Sequence, residues 1–391
     1  MIKKLIHSVI PAILLTLAVG SIYAFSLFID PISTAIGATT IQTQFSFSLG
    51  IFFLGMGAAF FGPLVEKNIK AATILGTVLF LGGFVLTQQA VLLKSVWLLY
   101  IGYGFIVGTA TGIIYISPVK TMMLWFKNNP GIASAVSIIS FGFGASLCSL
   151  LFKYLYPAFG IEKIFYAFAV VYAAMMAIGS LLLKKPKLSQ SAMVVKNDDG
   201  FSRFKLMKED GWCRRAWLFM FLNISAGLAL IGCAASILKE VGMSQNAIVL
   251  IVATMGVLNT LGRFVFAWFA DLLKEKKLVL WLVIPALSVI CLLPCAIALK
   301  FIVIPLILIP ALYGAGFSTC PSILSNKYGM NHISTIHGMV LSAWGVAGLV
   351  GNQIAANIFK FTGSYSILPI VLGVIYVIIF LNTHAMRKQQ A

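Results

Sequence analysis

Arg263 lies inside the apolar run 246–270, eight residues before Asp271, and Asn259 precedes it by four residues. In a helix that spacing puts the amide and the guanidinium on one face. The guanidinium offers a planar fork of donors that matches a carboxylate bidentately, and a neighbouring amide orients it without titrating. Eight residues at about 1.5 Å each place Arg263 about 12 Å from the loop that follows, near the middle of a bilayer core about 30 Å thick. A charge at that depth costs at least about 2.5 kcal/mol and faces a cavity or a partner. No Asp or Glu occurs away from the ends of any apolar run, so the counter-charge is expected to arrive with a small organic anion. The alternative is that Arg263 bonds to backbone carbonyls or reaches toward Asp271. The same scarcity of Asp, Glu and deep His removes the usual proton relay, which favours anion exchange or facilitated diffusion over proton symport, although a protonatable substrate could carry its own proton.

Such a residue needs membrane-spanning elements to hold it. The 391 residues are 60% apolar and 10% charged, against about 25% charged in ordinary soluble domains. Only helices or closed barrels satisfy every backbone group in lipid, and continuous runs instead of alternating residues exclude the barrel. The expected fold is therefore an all-α membrane protein of twelve transmembrane helices in two six-helix halves. The spans fall at 5–29, 45–65, 71–91, 96–118, 131–155, 164–183, 216–237, 246–270, 278–299, 301–323, 335–358 and 366–384. A polar, basic stretch at 184–215 divides an N-terminal bundle, 1–183, from a C-terminal bundle, 216–391. The first run is too long for a signal-peptide core of about 7 to 15 residues and is expected to be a retained helix.

Net charge is +18. Placing both termini in the cytoplasm puts 21 of the 28 Lys and Arg on that side, six on the other, and leaves Arg263 alone in depth. The basic excess thus reads as the orientation signal of a multi-pass protein in the cytoplasmic (inner) membrane, not as a nucleic-acid footprint. Lys120, at the cytoplasmic end of the fourth span, is expected to snorkel to the interface, the alternative being that it faces the cavity. The six cysteines form no disulfide framework or zinc spacing, and His7, His332, His337 and His384 lie near helix ends or in tails, so no metal and no cofactor is expected.

The halves also resemble each other. Gly62-Pro-Leu-Val-Glu66-Lys67 after the second span corresponds to Ala267-Trp-Phe-Ala-Asp271 after the eighth. Gly131-Ile-Ala-Ser-Ala corresponds to Gly338-Met-Val-Leu-Ser-Ala, and Tyr103-Gly104 to Tyr313-Gly314; the offsets are 205, 207 and 210 residues. Three matches in the same order point to a duplicated unit, the architecture of major facilitator transporters, whose substrate sites lie near the midplane between halves. Glu66 and Asp271 are then expected to gate, pairing with basic groups and helix ends in one state and releasing them in the other. The plainer alternative is that they keep short loops solvated. Gly104, Gly108 and Gly112, and Ala343, Ala347 and Gly351, form small-residue stripes suited to close helix contact.

Gly20-Ser-Ile-Tyr23-Ala-Phe25-Ser26, Gly102-Tyr-Gly104 through Gly112-Ile-Ile-Tyr115-Ile-Ser-Pro118, Trp125-Phe126, Gly142-Phe-Gly144-Ala, Asn259-Thr-Leu-Gly262-Arg263 and His337-Gly338 through Ala343-Trp344-Gly345 resemble the oxalate/formate antiporter family of bacterial major facilitator transporters. The resemblance covers nearly all spans. It implies transport of small mono- or dicarboxylates, with Arg263 binding substrate and Tyr23 and Tyr115 lining the cavity. Oxalate exchangers of this family carry a lysine where Trp344 stands, so with one cation a monocarboxylate of lactate, pyruvate or formate type fits better than oxalate. Related eukaryotic proton-coupled symporters carry an Asp where Asn259 stands, which counts against proton coupling. Other departures are Glu66 for the usual Asp, Ile69 for a second Gly, Ala267 for a first Gly, and Lys127-Asn128-Asn129-Pro130 in place of a Pro-Asp-basic-basic loop. For Tyr23, Tyr115 and Trp344 plain aromatic packing is the competing reading. An embedded enzyme would need clustered acids, bases or ligands within the spans, and a sensor a larger output domain than 184–215. The expectation is a monomeric transporter, with Arg263, Tyr23, Tyr115, Asn259 and Trp344 at the substrate and the bilayer as its surroundings. A carrier of oxalate or another dicarboxylate by exchange, or of a neutral solute with Arg263 structural, remains the alternative.

Overall fold

The computed structural model describes residues 2–186 and 203–389. Among these residues all regular structure is helical, and ten helical stretches are long and apolar enough to cross a membrane. Two of the ten run for 53 and 51 residues, enough for two crossings each. The expected twelve crossings are thereby accommodated. We number them α1 (Ile2–Ile36), α2 (Thr40–Lys67), α3 (Ile69–Leu92), α4 (Val96–Trp125), α5 (130–159) and α6 (161–182), then α7 (Gly211–Gly232), α8 (Gln245–Leu273), α9 (Leu280–Leu292), α10 (Val303–Tyr328), α11 (Ile333–Thr362) and α12 (Leu368–Lys388).

Helix ends are set by local chemistry that hydropathy does not register. Thr39 and Gln42 form a reciprocal capping box at the start of α2. The whole connection from α2 to α3 is Asn68, whose Oδ1 accepts the Ala71 N–H at 3.0 Å. Glu66 therefore belongs to the last turn of α2, not to a loop. Asp210 caps α7 through the N–H groups of Trp212 and Cys213, so that helix begins earlier than the apolar run. α5 and α6 are joined without a loop at Gly160, where φ is +57° and ψ is −178°; only glycine reaches that backbone without strain. Part of the polar central stretch, 187–202, lies outside the described residues, while Arg203–Glu209 within it is a short helix.

The chain forms two compact units, one of 1–200 with 327–345, the other of 201–326 with 346–391. In the first unit α1 packs against α5, α2 against α4, and α3 against the α5–α6 stretch. Its core is aromatic: Phe25 lies 4.3 Å from Tyr103, Phe28 5.0 Å from Phe165, and Phe84 5.6 Å from Tyr172, ring centre to ring centre. The glycine stripe of α4 lies on α2, with Gly108 on the Gly50 backbone and Gly112 against Leu54 and Ala58. In the second unit α12 packs on α7 and α9, and Phe219 stacks on Trp281 at 4.0 Å while the Trp281 indole N–H donates to Thr319 Oγ1 at 2.9 Å. Gly351 of α11 meets Ser225 and Leu228 of α7.

Candidate functional site

In the second unit, Arg263 is 7% exposed. Its Nε donates to Asn259 Oδ1 at 3.0 Å, the one-turn pairing expected from their spacing. The guanidinium carbon lies 6.0 Å from the centre of the Phe317 ring, within cation–π range, and Phe317 in turn packs 5.2 Å from Tyr313. Gly314 permits this approach, since a side chain there would strike the Asn259 carbonyl and the Arg263 stem. The arginine is thus held in orientation by an amide on its own helix and a ring on α10. That arrangement can present a planar cation to an anion and can hydrogen-bond it in two places. Asp271 lies eight residues on, half-buried in the last turn of α8.

The first unit brings the three aromatic residues singled out in the sequence together. Trp344 lies 6.2 Å from Tyr23 and 5.6 Å from Tyr115, and Phe141 of α5 closes the group at 5.5 Å from Tyr23, 5.1 Å from Tyr115 and 5.8 Å from Trp344. Tyr115, Phe141 and Trp344 are buried and Tyr23 is half-buried. The edge-to-face angles of 70–83° among Tyr115, Phe141 and Trp344 are the favoured geometry for such rings. Sequence reasoning missed Phe141, although it stands directly before the Gly142-Phe-Gly144 motif.

The Glu66 carboxylate holds three groups. One carboxylate oxygen pairs with the ammonium of Lys120. The other accepts the backbone N–H of Ser334 and, at 3.4 Å, that of Thr335. Those N–H groups open α11 and have no intrahelical acceptor, and the positive end of the helix dipole favours a carboxylate there. The Lys185 ammonium also donates to the Glu66 carbonyl at 3.0 Å, and burial lowers its pKa. Two expectations need correcting. Lys120 does not snorkel to an interface: it is 6% exposed and its charge is met inside the unit by Glu66. A buried His is also present where none is expected: His337, near the start of α11 and one turn into it, is 2% exposed. α11 also approaches α2 closely, since a side chain on Gly338 would strike the Ala58 carbonyl and one on Gly345 the Phe52 backbone.

Among the described residues no group of three or more His, Cys, Asp or Glu side chains could hold a metal ion. The sequence model of the Major Facilitator Superfamily matches residues 11–352. An uncharacterized MFS-type transporter of Escherichia coli (strain K12), YhjX, is 26% identical over 352 residues, covering 88% of this chain and 85% of the relative. The oxalate:formate antiporter of Oxalobacter formigenes is 21% identical over 367 residues, covering 90% and 84%. Among solved structures, the MFS transporter FucP in the outward conformation is similar with a TM-score of 0.73 at 17% identity, covering 96% of this chain and 97% of that one.

Proposed function

The chain belongs to the Major Facilitator Superfamily, a family of transporters and not of enzymes, and on that premise we propose that this multi-pass membrane protein carries a small organic anion, a monocarboxylate of lactate, pyruvate or formate type, by alternating access. The observation that carries the reading is Arg263: a cation 7% exposed within an apolar helix, its fork oriented through Nε by Asn259. A buried guanidinium in a membrane helix is costly and is kept where it does work on a charge. Tyr23, Tyr115 and Trp344 supply rings that exclude water from the organic part of the substrate, and Glu66 and Asp271 act at the gate. The protein sits in the inner membrane as a monomer, both termini cytoplasmic, its halves 1–183 and 216–391 joined by the cytoplasmic loop 184–215.

A second reading is exchange of oxalate or another dicarboxylate, favoured by the 21% identity to the oxalate:formate antiporter. Trp344 argues for the monocarboxylate, since an indole offers a second carboxylate no charge. The test is counterflow in proteoliposomes with labelled lactate, pyruvate, formate, oxalate and a neutral amino acid. Arg263→Gln with normal insertion is expected to lower carboxylate counterflow at least about a hundredfold, the loss of about 3 kcal/mol of charge-assisted bonding. Unchanged carboxylate transport in that variant sinks the anion site, and transport of the amino acid alone sinks the anion class.

A further inference from the structure

His337 is buried with its Nε2 atom lacking any hydrogen-bond partner. A buried ring nitrogen without a partner is costly and calls for an explanation. Its surroundings supply one. On α11, His337 precedes Trp344 by seven residues, two helical turns, so both side chains lie on one face of the helix. Both rings pack on Tyr115 of α4, His337 at 6.3 Å and Trp344 at 5.6 Å. On the other side, Ser334 and Thr335, three and two residues before His337, donate to Glu66 through their backbone N–H groups. The imidazole is therefore placed between the aromatic group and the Glu66–Lys120 pair.

The titratable groups on the elements around it are few. α4 carries Tyr115 and Lys120, α2 carries Glu66, and α1 carries Tyr23; α5 contributes the uncharged Phe141. On α11 itself the next ionisable side chain is Lys360, more than six turns away. Glu66 balances Lys120, and the Lys185 ammonium stands on the Glu66 carbonyl, so this layer already carries a positive excess while His337 is neutral. A proton on Nε2 adds to that charge. Imidazole is the side chain whose ordinary titration lies closest to physiological pH.

We propose that His337 is a proton-binding site of the transport cycle, so that one proton travels with one anion. Nε2 takes the proton from water on the side to which the protein is open, forming one N–H bond, and returns it to water on the other side, with no electron transfer. The proton accompanies the anion held by Arg263 through the cycle, and departure of both restores the neutral, packed imidazole seen here. This rests on the anion-carrier reading above and reverses the sequence-based expectation that no group in the spans is suited to move a proton.

The experiment has two arms on the full chain. In proteoliposomes with an internal pH dye, the wild type is expected to acidify the lumen as lactate or formate enters. An inside-alkaline gradient of about one pH unit is expected to drive about tenfold accumulation. His337→Gln is expected to retain counterflow and lose accumulation to the level of empty liposomes. Accumulation in His337→Gln equal to wild type overturns the proposal. The second arm needs no substrate: ring-carbon NMR of histidine-labelled protein in detergent, read in a chain whose His7, His332 and His384 are replaced by Gln, leaves His337 as the lone signal. A midpoint between about pH 5 and 7.5 supports the proton site, and a ring that stays neutral down to about pH 4.5 overturns it. If no carboxylate is carried while the His337 signal titrates, the anion reading fails and the proton site stands. If His337→Gln does not insert, the NMR arm decides.

Discussion

Replacing Glu66 by Gln isolates the charge in the Glu66–Lys120 pair, because the amide keeps an oxygen to accept the Ser334 and Thr335 N–H groups. Lys120 is then left 6% exposed with its carboxylate partner gone. Breaking a buried pair from one side costs about 3–5 kcal/mol. With an unfolding entropy of about 2.1 cal/mol/K per residue, a chain of this length loses about 1.2 °C per kcal/mol, so the thermal midpoint in detergent is expected to fall by about 4–6 °C. Adding Lys120→Met removes the stranded ammonium and replaces it with a side chain suited to the site, so Lys120→Met/Glu66→Gln is expected within about 2 °C of wild type. The assay is monodispersity after heating, followed by size-exclusion chromatography, for wild type, both single variants and the double. A midpoint unchanged in Glu66→Gln, or a double variant as unstable as that single one, refutes the reasoning. Either result means that the pair does not satisfy Lys120.

Asn259→Ala is expected to raise the half-saturation concentration for the carried anion about tenfold, since Arg263 loses its Nε partner, while the thermal midpoint moves by less than about 2 °C; uptake kinetics and the heating assay check both. Gly345→Ala places a carbon against the Phe52 backbone and is expected to lower the midpoint by several degrees and stop transport. Gly82→Ala, with nothing within 4 Å of the added carbon, is expected to be neutral or slightly stabilising by the same assay. Phe219→Ala removes the ring stacked on Trp281 and is expected to cost about 3–5 kcal/mol, read as a fall in midpoint of about 4–6 °C.

The crossings were legible because a lipid-spanning helix must be apolar for about 20 residues whatever it packs against. The ends were not, because a cap is decided by one or two polar contacts: Asn68 alone turns α2 into α3, and Asp210 starts α7 ahead of its apolar run. Arg263 and Asn259 could be paired from their spacing, since both lie on one helix. Lys120 could not be read the same way, because its partner Glu66 lies 54 positions away on another helix and only tertiary structure joins them. Phe141 is one phenylalanine among 30 until the chain folds. His337 carried a usable signal, its seven-residue spacing from Trp344, but nearness to a helix end masked it.

The stretch Gly20–Phe28 in α1 winds as a 3-10 helix. Such a coil advances about 2.0 Å per residue where an α-helix advances about 1.5 Å, and it stacks every third side chain in a straight column. Tyr23 and Ser26 lie in one such column, and they, with Leu27, are the less buried positions of the stretch. Tolerance to polar substitution along this segment should then rise and fall with a period of three. A helical wheel drawn at 100° per residue would set Ser26 about 60° away from Tyr23 instead of in line with it, and a scan of single substitutions from 20 to 29 would expose the difference as a shift in rhythm.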